Sequence, residues 1–185
     1  MTPDHTTPGG DEDALVDVLS GTPLCRDLAR DEVYRIAQEG RVERWPAGAT
    51  VMEEGSVGPR LVILLEGRVA ILKGDGQGGQ HLLVELGPGS VLGEVSLLLE
   101  SPRTATARAL EPLRVFAMER AGFQAMIAEG DPAALKMGFA LARALAGRLL
   151  SVNDRVVELL SEVSDQRRRV EFLRANGEIE RRWDF

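Results

Sequence analysis

The chain has 185 residues, 44% of them hydrophobic and 28% charged, which suffices for one buried core with an appended element but hardly for two full domains. A formal net charge of −7 disfavours a sequence-independent grip on nucleic acid or an anionic membrane, since both need a surplus of Lys and Arg facing the polyanion. Cys25 is the sole cysteine, which excludes an internal disulfide and a thiolate metal cluster and favours the reducing cytoplasm; no apolar stretch reaches the length of a signal or membrane-spanning segment.

In chain order, the polar stretch 1–10, with Pro3, Pro8 and adjacent glycines, is expected to be a disordered leader. Between Asp11 and Gln38, Leu15, Val18, Leu19, Val33, Ile36 and Ala37 recur at helical spacing and are interrupted at Gly21 and Pro23, which predicts two short helices. From Arg41 to Met118 the texture is short β-rich runs, namely Thr50–Met52, Leu61–Leu65, Arg68–Leu72, His81–Leu86, Thr106–Ala109 and Arg114–Met118, divided by Gly, Pro and Asp. Strands this short and regular predict a sandwich, roll or barrel. Helical spacing returns in Arg120–Glu129 and again after Asp131-Pro132, an N-cap followed by an N1 proline. Gly74-Asp75-Gly76-Gln77-Gly78-Gly79 formally satisfies G-x-G-x-x-G, but it opens a strand rather than a helix, so it is expected to be a hairpin loop and not a dinucleotide site.

The informative segment runs Leu92-Gly93-Glu94-Val95-Ser96-Leu97-Leu98-Leu99-Glu100-Ser101-Pro102-Arg103-Thr104-Ala105-Thr106-Ala107. Arg103, expected to be partly exposed, supplies a planar fork of donors for phosphate oxygens. Gly93 lacks a Cβ and lets backbone approach closely, and a helical turn over Glu94–Leu98 would aim free N–H groups at an anion. Glu94 can accept from a sugar hydroxyl, while Leu97, Leu98 and Leu99 anchor the turn. Together these groups suit a cyclic nucleotide: one charged phosphodiester, one free 2′-hydroxyl and a flat base.

At these residues the chain resembles the cyclic-nucleotide-binding domain family, whose phosphate-binding cassette reads approximately [LIVMF]-G-E-x-[GAS]-[LIVM], a gap, then R-[STAQ]-A. Gly48, Glu54-Gly55 and the run from Leu61 through Gly67 to Val69 look like the family's glycine-punctuated strands, and the resemblance spans about Leu15 to Val163. It departs at the packing positions Cys25, Leu61 and Met52. The resemblance implies an α+β fold, an antiparallel, jelly-roll-like β-roll with short N-terminal helices and a long C-terminal helix. It implies cassette roles for Gly93, Glu94, Arg103, Thr104 and Ala105, and Val95 and Ser96 are expected in the ligand site with them. The base would be covered from outside the cassette, and Asn153 on the long helix is the expected contact, against the alternative that it is a solvated flank.

The expected organisation is a leader at 1–10, a β-roll with flanking helices at 11–130, a dimerisation and lid helix at 131–175, and a tail at 176–185. Leu145, Val152, Leu159 and Leu173 fall at heptad position d, and Leu149, Val156, Val163 and Val170 at a, with Gln166 the one polar seam position. β-Branched residues at a favour a parallel two-stranded coiled coil, hence a homodimer, over a helix packed only on its own roll. Catabolite-activator-type regulators carry a helix-turn-helix after this helix. The stretch beyond Val163 is too short and too mixed in charge for one, so direct DNA binding is disfavoured here. His5, His81 and Cys25 make no zinc set, and Ser96 lies in no nucleophile elbow, so neither metal nor enzyme chemistry is expected. The expected function is a cytoplasmic sensor of cyclic AMP or cyclic GMP that reports to an unidentified downstream protein. Two alternatives stay open: a transcription regulator acting with a missing or separate DNA-binding part, and a dimerisation module that no longer binds ligand.

Overall fold

The computed structural model describes residues 4–5, 12–99 and 101–180, with side chains described for 12–99 and 101–162. The chain is an α+β antiparallel β-roll with short N-terminal helices and a long C-terminal helix. The order is β1 (Asp4–His5), α1 (Glu12–Ser20), α2 (Arg30–Gln38), β2 (Gly40–Trp45), β3 (Thr50–Met52), β4 (Arg60–Glu66), β5 (Val69–Gly74) and β6 (Gln80–Leu86). There follow β7 (Val91–Leu92), α3 (Glu94–Leu98), β8 (Thr106–Ala109), β9 (Leu113–Glu119), α4 (Arg120–Ala128) and α5 (Pro132–Glu180).

Two antiparallel sheets form the roll, one in the order β1-β2-β9-β4-β7 and the other β3-β8-β5-β6. In the first, β4 and β9 are buried on both faces, and strand alternation divides their side chains between two cores. Leu61, Ile63, Leu65, Phe116 and Met118 pack with Val16, Leu19, Val33, Ile36, Phe123 and Met137 from the helices. Val62, Leu64, Val115 and Ala117 face the second sheet, where they meet Val51, Met52, Val69 and Ala107. Cys25 and Leu61 are filled into the helix-side core and Met52 into the inter-sheet core.

The glycine-rich stretch is the β5–β6 hairpin: Asp75 Oδ1 accepts from the N–H groups of Gln77 and Gly79 at 2.8 and 2.9 Å. Asp131 Oδ1 accepts from Ala133 N–H at 2.7 Å, so the cap read before Pro132 is made. Asp4–His5 pairs with Arg44 and Glu43 as β1, inside the stretch read as a disordered leader; the remainder of that stretch lies outside the described residues.

The chain divides into two compact units, Met1–Leu141 and Ala142–Phe185. In the second, α5 continues with Leu149, Val152, Val156 and Leu159 of the expected seam all exposed, and Leu150, Val157 and Leu160 exposed beside them. The side chains of Val163, Gln166, Val170 and Leu173, and the tail with Trp183 and Phe185, lie outside the described residues.

Candidate functional site

β7 ends at Leu92, and the chain turns through Gly93 at φ 80° into α3, whose first turn closes with Leu97 N–H donating to Gly93 carbonyl at 3.0 Å. The left-handed backbone favours glycine, and space demands it: a Cβ there would lie 2.1 Å from Arg103 Nη1 and 2.6 Å from the Arg60 carbonyl oxygen. Glu94 and Ser96 are buried at the start of α3, and Val95 is half-buried.

Beyond the cassette loop, Arg103 is anchored through its own backbone. Its N–H donates to Ser56 carbonyl and its carbonyl accepts from Gly55 N–H, both at 2.9 Å, fastening it to the turn before β4. The side chain lies between Gly93 and Gly58 and is only 6% exposed, which corrects the expectation of a partly exposed guanidinium. The cause is the pair of glycines: with no Cβ on either side, backbone closes over the fork. Nη2 donates to Arg60 carbonyl at 2.9 Å, while the buried Nη1 has no hydrogen-bond partner among the described residues. Burial first, and the like charge of Arg60 second, hold the guanidinium below its ordinary pKa, with Glu119 opposing them. A buried cation with an unspent donor is costly and rarely left without purpose, and a singly charged anion satisfies both its charge and its donor.

Thr104 is exposed and Ala105 half-buried. Lys73 of β5 donates to Thr104 carbonyl at 2.8 Å and pairs with Glu54. Glu54 also accepts from Gly74 N–H at 2.9 Å; the Lys73 contact and then this one hold its carboxyl below the usual range. Of the expected cassette residues, Gly93 lies against the buried Arg103 fork, while Glu94, Val95 and Ser96 follow it into α3 and Thr104 and Ala105 follow Arg103 toward β8. Asn153 is exposed in the second unit. A cleft of about 490 Å³ opens along the cassette's border with α4, lined by Val57, Gly58, Pro59, Ser96, Arg120 and Gln124 among others; of the expected site residues it takes in Ser96.

Sequence reasoning missed Arg60, Gly58 and Lys73. Arg60 was visible as a lone cation at the head of the Leu61–Leu65 run, but nothing in its spacing marked its carbonyl as the partner of Arg103. Among the described residues no group of side chains could hold a metal ion, and no helix is long and apolar enough to cross a membrane.

A family model, the cyclic nucleotide-binding domain, matches residues 42–129, from β2 to the end of α4. The CRP-like cAMP-activated global transcriptional regulator of Mycobacterium tuberculosis is 33% identical over 144 residues, 78% of this chain and 62% of that protein. The N-terminal domain of a transcriptional regulator from Streptomyces coelicolor superposes with TM-score 0.62 at 31% identity, covering 76% of this chain and 95% of that one. A cyclic nucleotide-binding domain from Methylobacillus flagellatus shares the fold with TM-score 0.72 at 22% identity, over 84% and 88% of the two chains. The chain spans about three-fifths of the Mycobacterium regulator's length.

Proposed function

Because this chain belongs to the cyclic nucleotide-binding domain family, we propose that it is a sensor of cyclic AMP or cyclic GMP, not an enzyme, and that it signals occupancy through α5 to a partner protein. The observation that carries this reading is the buried Arg103 fork: one nitrogen is spent on the Arg60 carbonyl and the other, beside Gly93, is unpaired among the described residues. The phosphodiester takes the free nitrogen, Thr104 and Ala105 line the phosphate, and Glu94 accepts from the 2′-hydroxyl. Asn153 reaches the base through an amide that offers both donor and acceptor.

α5 forms a parallel homodimer through the Leu149, Val152, Val156 and Leu159 stripe, whose exposure supports a partner helix. The buried free thiol of Cys25 fits work in the cytoplasm. A second reading draws on the similarity to regulators of transcription: the same sensor acts with a DNA-binding part, carried on the same polypeptide or on another.

Thermal melts separate a sensor from a module that has lost its ligand. A ligand held by the native state alone raises the melting temperature with concentration, so cyclic AMP or cyclic GMP stabilises the protein and 5′-AMP does not. A module that has lost its ligand melts at one temperature throughout. In the sensor, Asn153→Ala changes the ratio of cyclic AMP to cyclic GMP affinity.

A further inference from the structure

The inward face of β2 carries a charge where a β-roll core takes an apolar side chain. Glu43 is 0% exposed and lies between Trp45 and Arg41, two residues to either side on the same strand face. Both its oxygens accept from Arg60 Nη1 at 3.1 Å, Oε1 also accepts from Arg41 Nε at 3.0 Å, and Oε2 from Trp45 Nε1 at 3.2 Å. The Arg60 guanidinium stands over the Trp45 ring, 5.8 Å from its centroid. Four donor contacts, from Arg60, Arg41 and Trp45, converge on one buried carboxylate. Burying such a pair is a poor route to stability, since well-packed apolar residues of similar volume do as well or better. The cluster therefore calls for a role other than filling the core.

The cluster meets the cassette through the Arg60 main chain. Arg60 N–H donates to Gly58 carbonyl at 2.9 Å, Arg60 carbonyl accepts from Arg103 Nη2 at 2.9 Å, and Gly58 lies against the same guanidinium. We propose that Glu43 and Arg60 form a positioning pair for Arg103: Glu43 clamps the Arg60 side chain, and the clamped residue presents the carbonyl that holds Nη2 and leaves Nη1 for a phosphate oxygen. The proposal rests on the nucleotide-binding reading of Arg103. Neither Glu43 nor the Arg60 side chain needs to touch the ligand.

Charge and position give opposite signs, which makes the pair testable. Glu43→Gln removes a negative charge near an anion site, so simple electrostatics tightens nucleotide binding, whereas loss of the clamp weakens it. Calorimetric titration with cyclic AMP and cyclic GMP is expected to show about fivefold or greater weakening in Glu43→Gln. Equal or tighter binding overturns the proposal. Should Glu43→Gln lack a cooperative melt, Arg60→Lys keeps the net charge but cannot reproduce the fork, and is expected to weaken binding likewise. In an Arg103→Lys background that Arg60→Lys effect is expected to vanish, because Arg60 acts through the Arg103 fork; an effect of undiminished size in both backgrounds overturns the pair. A parent protein that binds neither nucleotide refutes the sensor reading itself, and the pair's role with it. A parent that binds while the variants match it refutes the pair alone.

Discussion

Gly93 and Arg103 occupy each other's space: the position of a Cβ on Gly93 is 2.1 Å from Arg103 Nη1, closer than two non-bonded atoms can approach. The buried fork and the bare left-handed backbone therefore exist only together. Gly93→Ala must expel the guanidinium and also force a side chain into positive φ, a strain on the order of 1–3 kcal/mol. We expect lower thermal stability and loss of detectable nucleotide binding together. A variant that binds as the parent does would show the close approach to be incidental.

Arg103→Met should separate folding from binding. The ligand-free protein holds a buried guanidinium whose charged form is disfavoured by burial, so an apolar side chain of similar length is expected to leave the melting temperature unchanged or raise it. Nucleotide affinity falls about tenfold to a hundredfold, the size of one lost charge-assisted contact. Unfolding of the ligand-free variant would mean that Arg103 is a structural cation.

The strands of the roll were legible because they alternate or run apolar between glycines: β3 and β8 match the sequence reading residue for residue, and β4, β5, β6 and β9 to within a few. α3 was legible from the cassette. β2 was not, because its inward positions hold Glu43 and Trp45 and its outward ones Arg44, so no apolar alternation shows; the carboxylate is tolerated there only through Arg60 and Arg41, which lie elsewhere or at an uninformative spacing. β7 has two residues and no pattern to show. The cassette residues could be found one by one, but the burial of Arg103 could not, since it depends on Gly58 arriving from another turn.

A second ion pair gives a pH dependence. Glu32 of α2 accepts from Lys136 Nζ at 2.8 Å through both oxygens and from Ala29 N–H at 2.8 Å, and the Lys136 contact followed by that of Ala29 holds its carboxyl below the usual range. With its folded value depressed, the pair contributes fully above the unfolded value of about 4.3 and is lost as pH falls through the folded one. Lys136→Met is expected to cost about 1 kcal/mol near neutral pH, a small figure because Lys136 is nearly half exposed. In acid-dependent melts the difference from the parent should narrow as pH falls below the unfolded value and close once it has passed through the depressed folded one. A pH-independent difference would assign the loss to packing.

Val156 is exposed at 48% and sits at a seam position, so Val156→Lys costs the isolated chain little while placing a charge in the proposed helix interface. Sedimentation is expected to show a dimeric parent and a monomeric variant with an unchanged circular dichroism spectrum in the β region. A monomeric parent would remove the dimer from the account.

The most direct test of the nucleotide site is calorimetric titration of the parent with cyclic AMP, cyclic GMP and their 2′-deoxy forms, repeated on Glu94→Gln. The account predicts saturable binding of one nucleotide per chain, weakened when the 2′-hydroxyl is absent, with that discrimination erased in Glu94→Gln. Absence of binding by either nucleotide at millimolar concentration, in a protein that melts cooperatively, would contradict it.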